Sequence, residues 1–482
     1  MFYHAQPRSD TLGPRRLAGK KLPLRCQVVA TAKTSPQKSD HLYDAVIIGG
    51  GPSGSACAYW LAKAGWDVAV VERKEFPRAK TCGDGLTPRS VRQLADMGLE
   101  ETVAATGHRY EGLRAYGFGQ TLEMKWPEHP HFPSYGYCIT RFDLDQLVAE
   151  NAGAQGATVF NGTEAVDLID VTPPLHEMSL GGCKGVVVKK KNAKTSSTLM
   201  ARVVVIADGA NSRIGRLLGT NRKREWPLGM AIRGYYTSDR HDDNFIESHL
   251  DIRDAEGNVV PGYGWVFPLG DGRINVGVGL LSTDRRWKGV NTTKLMETFV
   301  QFAPDYWGMS PETCLGPPTG GKLPMGFSVG PRTGENVIVI GDASGSINPF
   351  NGEGIAYGYE TGRLAAASIA ESLQGGGSQA LAHYEERLEN AYGNYYEVAR
   401  AFVRLISDPK LLALCVGVGM RSETLMTKLL SMMANLMRPD QVGPAEVGFR
   451  TLTALSKIIP DQVLSALFEN QTPELRSVSS AA

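Results

Sequence analysis

Asp44-Ala-Val-Ile-Ile48-Gly49-Gly50-Gly51-Pro52-Ser53-Gly54 decides the fold. Its first five residues form an apolar, β-branched run of strand character, the glycines form a turn, and Ser55 to Gly65 carries a helical pattern. Strand, glycine turn and helix in this order build a phosphate cradle. Gly49 allows the tight turn, Gly51 lets the backbone approach a pyrophosphate, and Gly54 lets the helix pack closely on the strand. The phosphate then rests on the free N–H groups at the positive helix end, beside Ser53. A second apolar run, Trp66-Asp-Val-Ala-Val-Val71, ends in Glu72, where an acceptor for ribose hydroxyls belongs.

Two later segments specify the dinucleotide. Arg202-Val-Val-Val-Ile-Ala207 runs into Asp208-Gly-Ala-Asn-Ser212, and Val337-Ile-Val-Ile340 runs into Gly341-Asp342. With a glycine turn, an Asp-Gly segment and a late Gly-Asp segment in this order, the chain resembles the FAD enzymes of the flavin hydroxylase superfamily, and within it the geranylgeranyl reductase family. The resemblance implies an α/β fold: a Rossmann-like FAD-binding domain of flavin hydroxylase type, an inserted β-rich substrate domain and a C-terminal helical region. It implies that Asp342 binds the ribitol, with Gly341 and Asp208 as further cofactor contacts, and that Arg141, opening the helix Arg141-Phe-Asp143-Leu-Asp145, touches FAD. A solvated helix start is the other reading of Arg141. Pro349-Phe-Asn-Gly352-Glu-Gly354-Ile355 opens a helix predicted to run to about Ala370, aiming its free N–H groups and positive dipole at the flavin N1–C2=O edge. Only one dinucleotide fingerprint is present, because Val276-Gly-Val-Gly279 reads as sheet. The electron donor, NADPH or reduced ferredoxin, therefore docks without a Rossmann domain of its own.

Phe76-Pro-Arg-Ala-Lys80-Thr-Cys82-Gly-Asp84-Gly-Leu-Thr87 follows the second strand, where the chain passes over the flavin toward the substrate. Taken alone, Cys82 is a nucleophile, a weak proton donor or an inert small apolar residue. No histidine follows at an activating spacing, so covalent thiol chemistry is not expected. The Lys-x-Cys-Gly-x-Gly pattern resembles the geranylgeranyl reductases, in which this cysteine lines the active site. Tyr263-Gly-Trp265-Val-Phe267-Pro268 precedes Asp271-Gly-Arg-Ile-Asn-Val-Gly277-Val-Gly279, two strands joined through Leu269 to Gly272. Tyr263, Trp265 and Phe267 point to one face, a wall suited to an apolar, flat or chain-like ligand, although an aromatic sheet core has the same spacing. By resemblance the motif builds a prenyl cavity. It makes Tyr263, Trp265, Phe267, Pro268 and Gly277 substrate-binding, and Cys82, Tyr263 and Trp265 catalytic.

The resemblance implies saturation of prenyl C=C bonds by hydride from reduced FAD. Cys82-Gly-Asp-Gly-Leu-Thr-Pro88 is closer to bacterial quinone-tail reductases than to the plant chlorophyll-type enzyme, whose segment runs Cys-Gly-Gly, so a quinone tail is at least as well supported as a chlorophyll precursor. An FAD monooxygenase on an apolar substrate is the second expectation, and a non-catalytic flavin-bound factor the third.

Composition bounds the rest. Over 482 residues, 42% hydrophobic against 21% charged excludes disorder and collagen. A net charge of +1 gives no large nucleic-acid surface. Seven scattered cysteines without a CxxC pair indicate neither a disulfide framework nor a zinc site. The longest apolar run, Leu411 to Met420, is too short to span a bilayer, which leaves peripheral membrane contact and an electron-donor protein as partners beside the isoprenoid.

Residues 1 to 40 hold eight Lys/Arg and two acids, and resemble an organelle transit peptide. They predict a chloroplast protein, with mitochondrion or cytoplasm as alternatives. The expected domains are a leader (1–42), a discontinuous FAD domain (43–85, 140–215, 330–375), a substrate domain (86–139, 216–329) and a helical region (376–482). In that last region a methionine-rich amphipathic helix runs through Leu425 to Met437, followed by a second stretch at Ala445 to Phe468.

Overall fold

The computed structural model describes residues 41–283 and 289–437. Its α/β architecture is organised around two seven-stranded sheets. The first begins with Leu42–Ile48, whose run Ala45 to Ile47 is completely buried, as expected of a parallel strand covered on both faces. It pairs in parallel with Val68–Val71 on one side and Ser197–Ile206 on the other. Thr158–Phe160 extends the sheet beyond Val71, Val337–Val339 joins Ser197–Ile206 in parallel, and the hairpin-like Thr163–Ile169 and Gly185–Lys190 complete it antiparallel. Residues from three separate stretches of chain thus make one sheet.

Two helices lie close on it. Pro52–Lys63 starts directly after the glycine turn with proline in its first turn, where the missing N–H costs nothing. It packs against Ile355–Glu371 so closely that a Cβ on Gly362 would stand 2.4 Å from the Ser53 carbonyl oxygen. The late Gly-Asp turn and the glycine turn are therefore neighbours.

The second sheet is ordered Thr319–Pro324, Leu228–Thr237, Arg273–Leu281, Gly262–Pro268, Phe245–His249, Gly112–Gly117, Gln120–Lys125. Alternation splits its faces. Ile232, Val266, Ile274, Val276, Val278 and Leu280 pack against Leu295, Met296 and Phe299 of the helix Thr292–Phe302, forming a dry core. The opposite face builds the site.

The expected methionine-rich helix, Leu425 to Met437, is Glu423–Met433, preceded by a separate helix, Pro409–Gly419; it is begun by Ser422, whose Oγ accepts from the Leu425 N–H at 3.3 Å. Leu430 is buried with Met124 of the edge strand Gln120–Lys125 and Met432 in the core of the first sheet and its helices, whereas Leu414, Val418 and Leu425 are exposed. The leader and the Ala445 to Phe468 stretch lie outside the described residues. Among the described residues no helix is long and apolar enough to cross a membrane, and no group of acidic, cysteine and histidine side chains is arranged to hold a metal ion.

Candidate functional site

Strand register brings the site together. Arg233 faces Gly277, which faces Trp265; one row along stand Tyr235, Asn275 and Phe267; one row back stand Ala231, Gly279 and Tyr263. The aromatic wall thus lies on a floor of glycines. A Cβ on Gly277 would meet the Trp265 ring at 2.3 Å, so this strand can carry the indole flat only where the side chain is hydrogen.

The wall grips the Cys82 loop through a polar residue at its centre. Trp265 Nε1 donates to Asn275 Oδ1 at 3.0 Å, and Asn275 Nδ2 donates to the Cys82 carbonyl and to Asp84 Oδ2, both at 2.8 Å. The Tyr235 hydroxyl donates to the same Asp84 oxygen at 2.6 Å, and the Arg141 N–H donates to Asp84 Oδ1 at 3.2 Å. Asp84 is completely buried with φ +66°, a left-handed conformation that aspartate tolerates better than most side chains. Burial raises its carboxyl pKa against the pull of the Tyr235 and Asn275 bonds. Gly83 and Gly85 flank it and lie against the Phe267 ring.

Cys82 is half-buried, and desolvation pushes its thiol up, with Arg141 the leading opposing influence. Tyr263, also pushed up by burial beside Cys82 and Glu353, donates its hydroxyl proton to the Asn351 carbonyl at 2.7 Å. That bond joins the wall to the 349–355 segment. Glu353 then joins this segment to the end of the Cys82 loop: one carboxylate oxygen accepts from Thr87 Oγ1 and from Ser90 Oγ (3.2 Å), while the other is buried without a partner. Burial pushes the Glu353 carboxyl up to about 7.

The cofactor end is equally specific. Glu72, buried, accepts from the Gly50 and Lys74 N–H groups, both at 3.0 Å, and pairs with Arg78 at 3.2 Å. Arg78 also reaches Asp145 at 2.8 Å, and Arg141 clamps Asp145 with two bonds of 2.5 and 2.8 Å. The Arg141 guanidinium is thus committed to a carboxylate, and its backbone N–H to Asp84. Gly49 has φ +107°, and a Cβ there would stand 2.3 Å from the Ala207 carbonyl oxygen; on Gly54 it would stand 1.9 Å from that of Gly49. Gly51 differs, because its Cβ position meets only Arg78, at 3.8 Å, and otherwise faces open space. Ser53 lies under Gly341, and Gly354 is beside the Asp342 carboxylate. Asp208 accepts from the Arg213 and Ile214 N–H groups through one oxygen, while the other is buried and unpartnered. Helix Ile355–Glu371 starts after Gly354 with no side-chain cap. An open cradle at Gly51, an orphaned acceptor at Asp208 and an uncapped helix end fit FAD.

Asp84, Tyr235, Asn275 and Glu353 were not singled out in the sequence. Asn275 had a readable signal: with Gly277 and Gly279 it is the non-apolar alternate of a strand whose other residues, Ile274, Val276 and Val278, are core. Tyr235 and Asp84 had none, since 151 residues separate them.

A family model described as an FAD binding domain matches residues 42–233. The chain is 40% identical over 420 residues to the menaquinone reductase of Mycolicibacterium smegmatis, covering 87% of this chain and 98% of that one. It is 27% identical over 378 residues to a digeranylgeranylglycerophospholipid reductase of Methanosphaera stadtmanae, covering 76% and 89%. A geranylgeranyl bacteriochlorophyll reductase-like structure from Thermoplasma acidophilum superposes with a TM-score of 0.67 at 20% identity over 86% of this chain and 99% of that one. A flavin-dependent brominase superposes with a TM-score of 0.64 at 18% identity over 87% and 99%. These structural likenesses show the fold. The chloroplast expectation is overturned: the menaquinone and digeranylgeranylglycerophospholipid reductases above are bacterial and archaeal, and the basic stretch that suggested an organelle lies outside the described residues.

Proposed function

This chain belongs to the geranylgeranyl reductase family of FAD-dependent oxidoreductases, and from that premise we propose that it saturates C=C bonds in the prenyl tail of a menaquinone-type quinone. The observation that supports the substrate class is the wall of Tyr263, Trp265 and Phe267 over Gly277 and Gly279, apolar, one-sided and fixed to both loops that flank the cofactor site. FAD, when bound, supplies the hydride equivalent, and its own electrons come from a nicotinamide or iron–sulfur donor.

The chain's residues do the remaining work. An isolated alkene polarises poorly, so rate depends on dryness and near-contact geometry. Trp265 and Phe267 exclude water from the wall, and the Asn275–Asp84–Tyr235 bonds fix the Cys82 loop against it. The Cys82 thiol, held protonated at neutral pH by burial, offers a proton or an apolar surface and is not a thiolate nucleophile. The Tyr263 proton is already engaged by Asn351, so releasing it requires that bond to break. Exposed Leu414, Val418 and Leu425, with Lys410 and Arg421 at the ends of the apolar run, supply the face through which a membrane quinone is collected.

Mass spectrometry after anaerobic incubation of the FAD-loaded chain with dithionite and menaquinone tests this reading. Dithionite also reduces the quinone ring, so products are reoxidised in air before analysis, and the expected product then keeps two added hydrogens in its tail that an enzyme-free control lacks. An unchanged quinone, or a product gaining oxygen only in air, overturns it.

A further inference from the structure

A cleft of about 750 Å³ opens beside the Cys82 loop, between Arg73 and Lys74, which follow Glu72, and the second sheet. Its charged lining is Arg73, Lys74, Lys80, Arg233 and Arg273, against the single acid Asp143. Most of these are exposed rim residues, and a solvated basic rim would call for no ligand. Arg233 is different. It is 7% exposed, on the second sheet, and forms no ion pair with a carboxylate among the described residues. Its Nε has no hydrogen-bond partner, and an Nη2 contact to the Lys80 carbonyl is long, at 3.5 Å. Its remaining support is the Tyr235 ring, 4.1 Å from the guanidinium carbon. Asp84 is within electrostatic reach, but its oxygens are taken by Tyr235, Asn275 and the Arg141 N–H.

A buried guanidinium with spare donors is costly unless an anion completes it. Here it faces a cavity with Arg73, Lys74 and Lys80 on its rim and with Arg273, which is paired with Asp271, and three cations unpaired among the described residues, around the buried one, match the fork geometry and charge of a diphosphate better than those of a single carboxylate. Tyr235 and the 46%-exposed Phe142 give the same cleft flat apolar surfaces against which an aromatic base or a nicotinamide ring can lie. The volume suits a nucleotide-sized ligand. The FAD diphosphate belongs elsewhere, because the lining contains no residue of the 49–54 turn, of Gly341-Asp342 or of the 349–355 segment.

We propose that this cleft is the docking site of the diphosphate of a second, diffusible nucleotide, the pyridine dinucleotide that acts as reductant, with Arg233 as its buried anchor. The proposal deepens the reductase reading by locating its donor, and rests on that reading for the ligand's role but not for its binding.

Calorimetric titration of the FAD-loaded full chain with NADP⁺, NAD⁺ and geranylgeranyl diphosphate in separate arms tests it. One or both dinucleotides are expected to bind one per chain, to weaken at least about tenfold in Arg233→Gln, as befits loss of a charge-assisted bond, and to weaken by a smaller factor in the rim variant Lys80→Ala, with FAD content unchanged in both. Lys80→Ala removes an exposed side chain and keeps the test valid if Arg233→Gln fails to fold. Absence of dinucleotide binding, or binding indifferent to both variants, overturns the proposal. Loss of FAD in Arg233→Gln would show that the cleft holds the flavin's own diphosphate. Arg233-dependent binding of geranylgeranyl diphosphate alone would assign it to a substrate head group. Dithionite-driven prenyl reduction needs no dinucleotide, so it stands or falls separately.

Discussion

Replacing Gly277 by alanine drives a methyl group into the Trp265 ring. The new Cβ would lie 2.3 Å from Trp265 Cζ2 and 2.5 Å from the Ile232 carbonyl oxygen, and the second of these belongs to the neighbouring strand's backbone, which cannot swing away. The indole must therefore move. Overpacking of this kind costs about 1–3 kcal/mol. Displacing the ring also breaks the bond from Trp265 Nε1 to Asn275 and strands a buried donor, which adds about 1–3 kcal/mol. Gly277→Ala should then lose about 2–6 kcal/mol in urea unfolding of the FAD-loaded chain. Gly279 is the internal comparison: two residues along the same strand and on the same face, its Cβ position has no neighbour closer than 3.8 Å. Gly279→Ala should change stability by less than about 0.5 kcal/mol. A second readout follows from the wiring, because Asn275 released by Trp265 no longer holds the Cys82 carbonyl, so turnover should fall further in Gly277→Ala than stability at the assay temperature explains. Equal unfolding midpoints for the two variants would refute the claim that the glycine floor exists to seat the indole.

Three other outcomes are expected. Gly51→Ala, whose methyl meets open space, should unfold at the wild-type midpoint when FAD-free yet retain little FAD, whereas Gly54→Ala, whose methyl falls 1.9 Å from the Gly49 carbonyl oxygen, should be destabilised even without FAD; absorbance at flavin wavelengths and thermal melts separate the two. Glu353, pushed from an ordinary 4.5 to about 7, keeps in the folded chain a proton that the unfolded chain releases, so its contribution to stability falls as pH rises from about 4.5 to about 7 and is level above that. The loss is worth about 3 kcal/mol, and Glu353→Gln, neutral throughout, should match wild type near pH 4.5 and exceed it by that amount at pH 8; parallel stability curves would remove the argument. Asp145→Ala leaves Arg78 and Arg141 buried without their shared carboxylate, and should cost about 3–5 kcal/mol by denaturant unfolding, against little for Asp271→Ala, whose pair with Arg273 is exposed.

What the sequence disclosed and what it withheld divide along contact range. The strand at Asp44 to Ile48, the positive-φ turn at Gly49 and the helix after Gly51 are set within some twenty residues, so local pattern suffices to read them. The one-sided arrangement of Tyr263, Trp265 and Phe267 is likewise a matter of alternation along a single strand. By contrast, Asn275 reaches the Cys82 loop across 193 residues, and Arg233 faces Lys80 across 153. No spacing rule encodes such pairs; they exist because the sheet register places positions 233, 235, 275 and 277 on the face that the loop covers. Arg141 shows the reverse limit. Its position at a helix start suggested a flavin contact; the helix pattern does not show that its guanidinium would pair with Asp145 and act on the Cys82 thiol while its backbone N–H holds Asp84.

The choice of polar groups to hold the Cys82 loop also bears on the chemistry. A loop pinned to an aromatic wall by apolar contacts alone would be as stable or more so, since a buried carboxylate and its donors rarely exceed well-packed hydrophobic residues in net stability. Directional bonds supply something apolar contact does not: Asp84 can be satisfied by Tyr235, Asn275 and the Arg141 N–H together in only one placement of the loop. That placement sets how far Cys82 stands from the wall. For a reaction on an unactivated alkene, in which a misplacement of an ångström costs orders of magnitude in rate, fixing that distance matters more than the last increment of stability. Asn275→Leu should accordingly fold and keep its FAD while losing most of its turnover, and an Asn275→Leu chain with full activity would show that the loop is positioned by packing instead.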